Sequence, residues 1–543
     1  MKKIAVFNLV FLVACAVLAD DAPVRDKRVF VDGAECRGLK ALGKAVARPV
    51  GEATLFTAGG SFANRWLTDA SVGPGNFLVK VRLSIDNPIF CDASIRVGGG
   101  EREVIVTLQG INGLFSISGP LVRTDLETGR VMKSEMQVRG KKPFELAIER
   151  VGDQLSVSCD GRLIRRHTVT DGGLGPVGIM PMRGAMRIER LEVTANFAPF
   201  EQVKSMDVND MCRVKALPPL VELPKSFPIG PFTKLKDGSV MAIDRCHALI
   251  SPDGGKTWKR HEMFRDPKFR LYQEHSAVCL EDGTVVVMFI NIGEQKCSWD
   301  VQRNRPNPEN RLPTYCVRSL DNGRTWEDPI LIDNTYSGCQ RGMILTKSGT
   351  LVAMVQRLNY EEGRNYSQPY WSNDKGKTWH PADVMDCGRE HGDHSGLIEA
   401  TLVQLKDGRL WTLLRSYHGF FYEAFSSDDG HTWAPIPPRR SKIASTGSPG
   451  MLKRLSDGSL VLLYNAIPTK GYERREELFV SFSEDEGESW TKPFVVARNA
   501  GARVAYAYID EPVPGELWIS SMQGGLRART TLAELKAAAK GCP

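Results

Sequence analysis

One eight-residue pattern, S-x-D-x-G-x-[T/S]-W, occurs five times between residues 251 and 490. Its copies are Ser251 to Trp258, Ser319 to Trp326, Ser372 to Trp379, Ser426 to Trp433 and, with serine replacing threonine, Ser483 to Trp490. The central aspartates fall at 253, 321, 374, 428 and 485, so successive copies lie 53 to 68 residues apart. A period of that length marks one supersecondary unit, repeated, that buries its apolar face only by stacking on its neighbours.

Each copy follows an apolar hairpin that turns at Gly238, Gly283, Gly349, Gly408 or Gly458, and a sixth hairpin without a copy runs from Ile509 through Gly515 to Ile519. Six hairpins predict an all-β chain with a six-bladed β-propeller over residues 227–527. Within the pattern the aspartate can accept hydrogen bonds from its own turn, glycine permits positive φ, and tryptophan can pack between sheets. These residues are therefore expected to be structural, with all five tryptophans buried.

The rest of the chain divides by composition. Residues 25–198 alternate apolar and polar with few helix signals; Phe144 to Arg150 and Gln154 to Cys159 flank a Gly152-Asp153 turn, and Asp160-Gly161 makes another. A jelly-roll-like β-sandwich is expected there, similar in pattern to lectin-like domains. Prolines 199, 218, 219 and 224 punctuate a linker over 199–226, and residues 528–543 form a short C-terminal helix or tail.

Met1-Lys2-Lys3 and the apolar run Ile4 to Ala19 predict a signal peptide over residues 1–19, hence a secreted or periplasmic protein. The run is too short to span a membrane. Leu12-Val13-Ala14-Cys15 resembles a lipobox, so a lipid anchor on Cys15 is the alternative. With 42% hydrophobic and 25% charged residues the composition is that of soluble globular protein. A net charge of +7 without a basic block points away from nucleic acid. The eleven cysteines beyond Cys15 show no zinc spacing, no cofactor is expected, and His391, Asp393 and His394 are too weakly specific to count as a metal site.

The five repeats resemble the Asp boxes of the sialidase superfamily. The resemblance covers about Phe227 to Arg527 and implies a glycan partner and a glycosidase active site at one end of the propeller axis. There the first strand of each blade begins, at Pro228 to Gly230, Glu274-His275, Gln340-Arg341, Glu399, Ser448 and Tyr506. The stretch from Glu399 to Arg415 is similar to the family segment with the base glutamate and the second arginine of the substrate clamp. Arg475 looks like the third clamp arginine, with Arg474 as its fallback, and Tyr506 like the nucleophile, with Tyr508 as the other register.

The first clamp arginine is missing: Phe227-Pro228-Ile229-Gly230 stands where the family has an aromatic-Arg-Ile-Pro motif. Arg245, Arg341 and Arg357 are candidates to replace it, with His275 beside them as a further binding residue. The acid has no clear counterpart, and Glu274, Asp300 and Asp244 are its candidates. A guanidinium clamp suits a carboxylate through bidentate, charge-assisted bonds, and a tyrosine activated by glutamate avoids sending a charged nucleophile at an anionic sugar. The resemblance thus implies an exported exo-sialidase-like glycoside hydrolase that releases a terminal acidic sugar, sialic acid first. A uronic or sulfated sugar as substrate, and a noncatalytic glycan-binding propeller, are the alternatives. Tyr506 and Glu399 within hydrogen-bond reach would favour the enzyme.

Overall fold

The computed structural model describes residues from 25 to 541, with interior gaps of which the longest are 58–64, 86–91, 119–141, 201–213, 389–394 and 470–474. The leader with Cys15, Arg474, and the His391, Asp393 and His394 group lie outside the described residues.

Residues 25–199 form two antiparallel sheets, of nine and seven strands. Strand Ala185–Ala195 is central to the first, hydrogen-bonded to Phe77–Ile85 on one side and to Asp26–Asp32 on the other. The expected turns are present, joining Phe144–Val151 to Gln154–Cys159 and that strand to Arg162–Thr168. Alternate residues of both sheets, among them Val79, Val81 and Leu83 from one and Ile95, Val97 and Val106 from the other, merge into a single core, as period-two patterning requires.

From residue 215 onward the architecture is all-β and of propeller type, built from antiparallel sheets that follow one another along the chain. The first holds Thr233–Lys234, Val240–Asp244, His247–Ser251 and Lys259–Glu262; the second Leu271–Cys279, Val285–Asn291, Thr314–Ser319 and Ile330–Asp333. The third holds Gln340–Leu345, Leu351–Asn359, Arg364–Ser372 and His380–Pro381; the fourth Ile398–Gln404, Leu410–Arg415, Phe420–Ser426 and Ala434–Ala444. The fifth is Met451–Arg454, Leu460–Tyr464, Glu477–Ser483 and Phe494–Arg498, edged by Lys215–Ala216, and the sixth is Ala505–Val513, Glu516–Gln523 and Arg527–Thr531, edged by Val221–Glu222. Parts of the stretch read as linker thus pair onto the last two sheets. Helix Leu532–Lys540 follows, started by a capping box between Thr531 and Glu534.

The apolar residues are shared between successive sheets. Met241 and Ile250 of the first pack with Val285 and Val287 of the second, Val352 of the third with Leu402 and Leu410 of the fourth, and Leu463 of the fifth with Ile509 of the sixth. Trp518 of the sixth sheet in turn packs on Phe227 and Phe232, which lead into the first sheet, and on Trp258 of the first sheet's box.

All five Asp boxes follow the third strand of their sheet. In the copy at 428, Asp428 Oδ1 accepts from the Ser426 hydroxyl and the Thr432 N–H, and Oδ2 from the Thr432 hydroxyl. The indole N–H of Trp433 donates to the Gly430 carbonyl. Gly430 has φ +89°, and a Cβ there would meet Val352 at 2.8 Å, so glycine is required both by conformation and by the neighbouring sheet. Of the five tryptophans only Trp433 is fully buried; Trp258, Trp326, Trp379 and Trp490 are half-buried. The expectation of five buried rings is corrected: the indole N–H is tied to its own turn in all five copies, and only Trp433 lies within a buried core cluster, with Val352, Leu402 and Leu410.

Candidate active site

The first strands of three sheets are irregular where they begin. Pairing registers shift between Leu271 and His275, between Gln340 and Gly342, and between Ile398 and Thr401, which places Glu274, Arg341 and Glu399 at breaks in the ladder. Glu399 (φ +49°) and Tyr506 (φ +55°) also hold left-handed backbone. Such a conformation costs a non-glycine residue on the order of 1–3 kcal/mol and is retained where the surroundings over-determine it.

These positions meet although their sheets are not consecutive. The Tyr506 hydroxyl of the sixth sheet donates to Glu399 Oε1 of the fourth at 2.6 Å. Arg415 Nη1 donates to the Tyr506 oxygen at 3.0 Å and ion-pairs with Glu399 Oε2, while its Nη2 donates to the Tyr417 hydroxyl at 2.5 Å. The Arg475 guanidinium lies 5.5 Å from the centre of the Tyr506 ring and donates to the Gly447 carbonyl at 2.8 Å and to Gln523 Oε1 at 3.4 Å. No carboxylate pairs with Arg475 among the described residues.

A second group lies against the first. Arg341 of the third sheet is an ion-pair partner of Glu274 at 3.4 Å and donates to the Ala507 carbonyl at 2.7 Å. The Cys339 thiol is 3.5 Å from the same Glu274 oxygen.

The charges follow from burial and neighbours. Burial opposes ionisation of Glu399, but Arg415, the Tyr506 hydroxyl and Arg475 together hold its carboxyl below the usual carboxylate range. Burial and the Glu399 charge push the Tyr506 phenol well above its ordinary value, against the opposing pull of Arg415 and Arg475. Burial, and then the Glu399 charge, raise Glu274 to about 7 despite Arg341. Burial and the nearby Arg415 lower Arg475 to about 10, as desolvation and a like charge do to a cation.

The remaining candidates lie elsewhere or are otherwise engaged. Arg357 is ion-paired with Asp333 at 2.8 Å and bonded to Gln368 and Tyr370. Arg245 is exposed in the turn after the first sheet's second strand, with φ +54°. His275 is buried with neither ring nitrogen in hydrogen-bond geometry, and desolvation lowers it to about 4 against a smaller pull from the Tyr272 and Gln273 backbone. Asp300 pairs with Arg303 in the insertion, and the exposed Asp244 lies 3.8 Å from Arg260. Tyr508, the alternative register, is bonded to the Gln273 carbonyl. Tyr417, Gln523 and Cys339 were not singled out from sequence. Tyr417 carried a signal, since it lies two residues beyond Arg415.

Residues 247–512 match the BNR repeat-like domain. A sialidase of Paraclostridium sordellii is 26% identical over 261 residues, 41% of this chain and 60% of that protein; one of Clostridium perfringens is 22% identical over 256 residues, 40% and 63% respectively. The chain therefore spans less than two thirds of either relative. Among solved structures, a Hadza microbial sialidase aligns over 84% of this chain and 94% of its own, with 14% identity and a TM-score of 0.44. In its repeat domain and its curated relatives, the chain is similar to the sialidase superfamily.

Proposed function

We propose that this protein is an exported glycoside hydrolase of the sialidase type that releases a terminal acidic sugar, sialic acid first, from glycans. The observation that carries the reading is the 2.6 Å bond from the Tyr506 hydroxyl to Glu399, with Arg415 bonded to both. A binding module needs the cations but not a phenol poised against a carboxylate.

Tyr506 attacks the anomeric carbon while its proton passes to Glu399. The bond to the aglycone breaks, the electron pair leaves with the aglycone oxygen, and that oxygen takes up a proton from water, leaving hydroxide. A second water then attacks the anomeric carbon and gives its proton to that hydroxide as the tyrosyl link breaks, and Glu399 returns the first proton to Tyr506. Arg475, which has no carboxylate ion-pair partner among the described residues, supplies the charge that receives the sugar carboxylate, and Arg415 shares that role. Glu274 keeps a proton to about pH 7, the state an acid needs, yet its 3.4 Å contact with Arg341 and its 3% exposure hold it against that side chain and away from a leaving group.

In this reading the sheets of residues 215–531 are six blades closed into a ring, with Trp518 and Trp258 packed at the closure, and residues 25–198 form a lectin-like sandwich that holds glycan. A second reading keeps the mechanism but changes the sugar to a uronic or sulfated one, because Phe227-Pro228-Ile229-Gly230 offers no first-blade arginine. Hydrolysis and binding across a panel of sialosides, uronides and sulfated glycans tests both. Turnover of sialosides supports the first reading, turnover of another acidic sugar the second, and binding without turnover removes the enzyme.

A further inference from the structure

Arg341 stands where the missing clamp arginine would be sought, but its surroundings give it a different task. Its side chain is 0% exposed. One terminal nitrogen donates to the carbonyl of Ala507, the residue after Tyr506, and the other faces Glu274. The guanidinium carbon lies 4.5 Å from the Tyr508 ring centre and 5.6 Å from that of Tyr506. A group so enclosed has no surface to offer a sugar, whereas it holds the tyrosine through both backbone and ring.

We propose that Arg341 is a positioning residue for the nucleophile: a cation lodged against Tyr506 and Tyr508 that pins the left-handed backbone at Tyr506 through the Ala507 carbonyl and keeps the phenol on Glu399. The inference rests on the hydrolase reading above. A cation against an aromatic face is attracted by the ring quadrupole, more strongly when desolvated, and a charge-assisted bond to a carbonyl exceeds a neutral one. The groups facing it are Glu274, Cys339, Tyr506, Tyr508, Met522 and the Ala507 carbonyl, with the Glu399 charge also acting on it. Of the two carboxyl groups, Glu399 is held ionised and Glu274 is held largely neutral below about pH 7.

The test is Arg341→Met beside Arg341→Lys, which keeps the charge but not the forked geometry. With an aryl sialoside, Arg341→Met is expected to lower kcat by about 10- to 100-fold, the scale of a misplaced reacting group, while KM and the Kd of an unsaturated sialic acid analogue stay within about twofold. Arg341→Lys is expected to recover part of kcat. Loss of affinity with kcat retained makes Arg341 a clamp residue and overturns the proposal, as does unchanged kcat. Ring-13C tyrosine spectra, with the Tyr506 signal identified by its loss in Tyr506→Phe, need no substrate. That signal is expected to shift and broaden in Arg341→Met, and an unmoved signal overturns the proposal even if sialosides prove not to be substrates.

Discussion

Tyr506 and Glu399, 107 residues apart, are joined by a 2.6 Å hydrogen bond between two residues that both hold left-handed backbone. Neither conformation is needed by an ordinary strand. Tyr506→Phe should remove most turnover and leave ligand affinity nearly intact, since the ring keeps its place and only the reacting oxygen is lost. Parallel kinetics and calorimetry check this.

Arg475 and Arg415 should differ when truncated. Arg475→Ala removes a cation with no carboxylate ion-pair partner among the described residues and should weaken binding of an acidic sugar by about 2–5 kcal/mol, with little change in the thermal midpoint. Arg415→Ala strands the buried Glu399 carboxylate and should also destabilise the fold, by about 3–5 kcal/mol. Melting curves and titrations of both variants separate the two effects.

Glu274 makes a signed prediction in pH. Its folded value of about 7 lies above the ordinary 4.5, so between those values the folded protein holds more protons than the unfolded one. Its contribution to stability is full below about 4.5 and is lost as pH rises through 7. Thermal midpoints from pH 4.5 to 8 should fall less steeply in Glu274→Gln than in the parent. Parallel curves would show that Glu274 does not titrate in this window.

The Asp boxes should act on stability alone. Asp428→Ala removes three hydrogen bonds that hold the turn before Trp433 and should cost about 1–3 kcal/mol with kcat/KM unchanged. Denaturant unfolding, together with kinetics on the folded fraction, checks both halves.

The repeated units were legible because the box is a local device whose serine, aspartate, glycine and tryptophan are fixed by one turn's hydrogen bonds. Glu399, Arg415, Arg475 and Tyr506 were legible through resemblance, and the structure brings them together. Depth was not legible. Sequence puts Arg341 and Arg357 both near strand ends of the third sheet, but only the folded chain shows Arg341 enclosed beside Tyr506 and Arg357 held by Asp333. The box tryptophans failed for a related reason, since apolar character does not reveal how far the neighbouring sheet covers a ring, which it does fully only at Trp433.

The most direct measurement is covalent capture. Incubation with a fluorinated sialosyl fluoride, followed by intact mass and peptide mapping, should show one glycosyl adduct on Tyr506 that is absent from Tyr506→Phe. An adduct on Glu399 or Glu274, or sialoside turnover that survives Tyr506→Phe, would contradict the tyrosine mechanism.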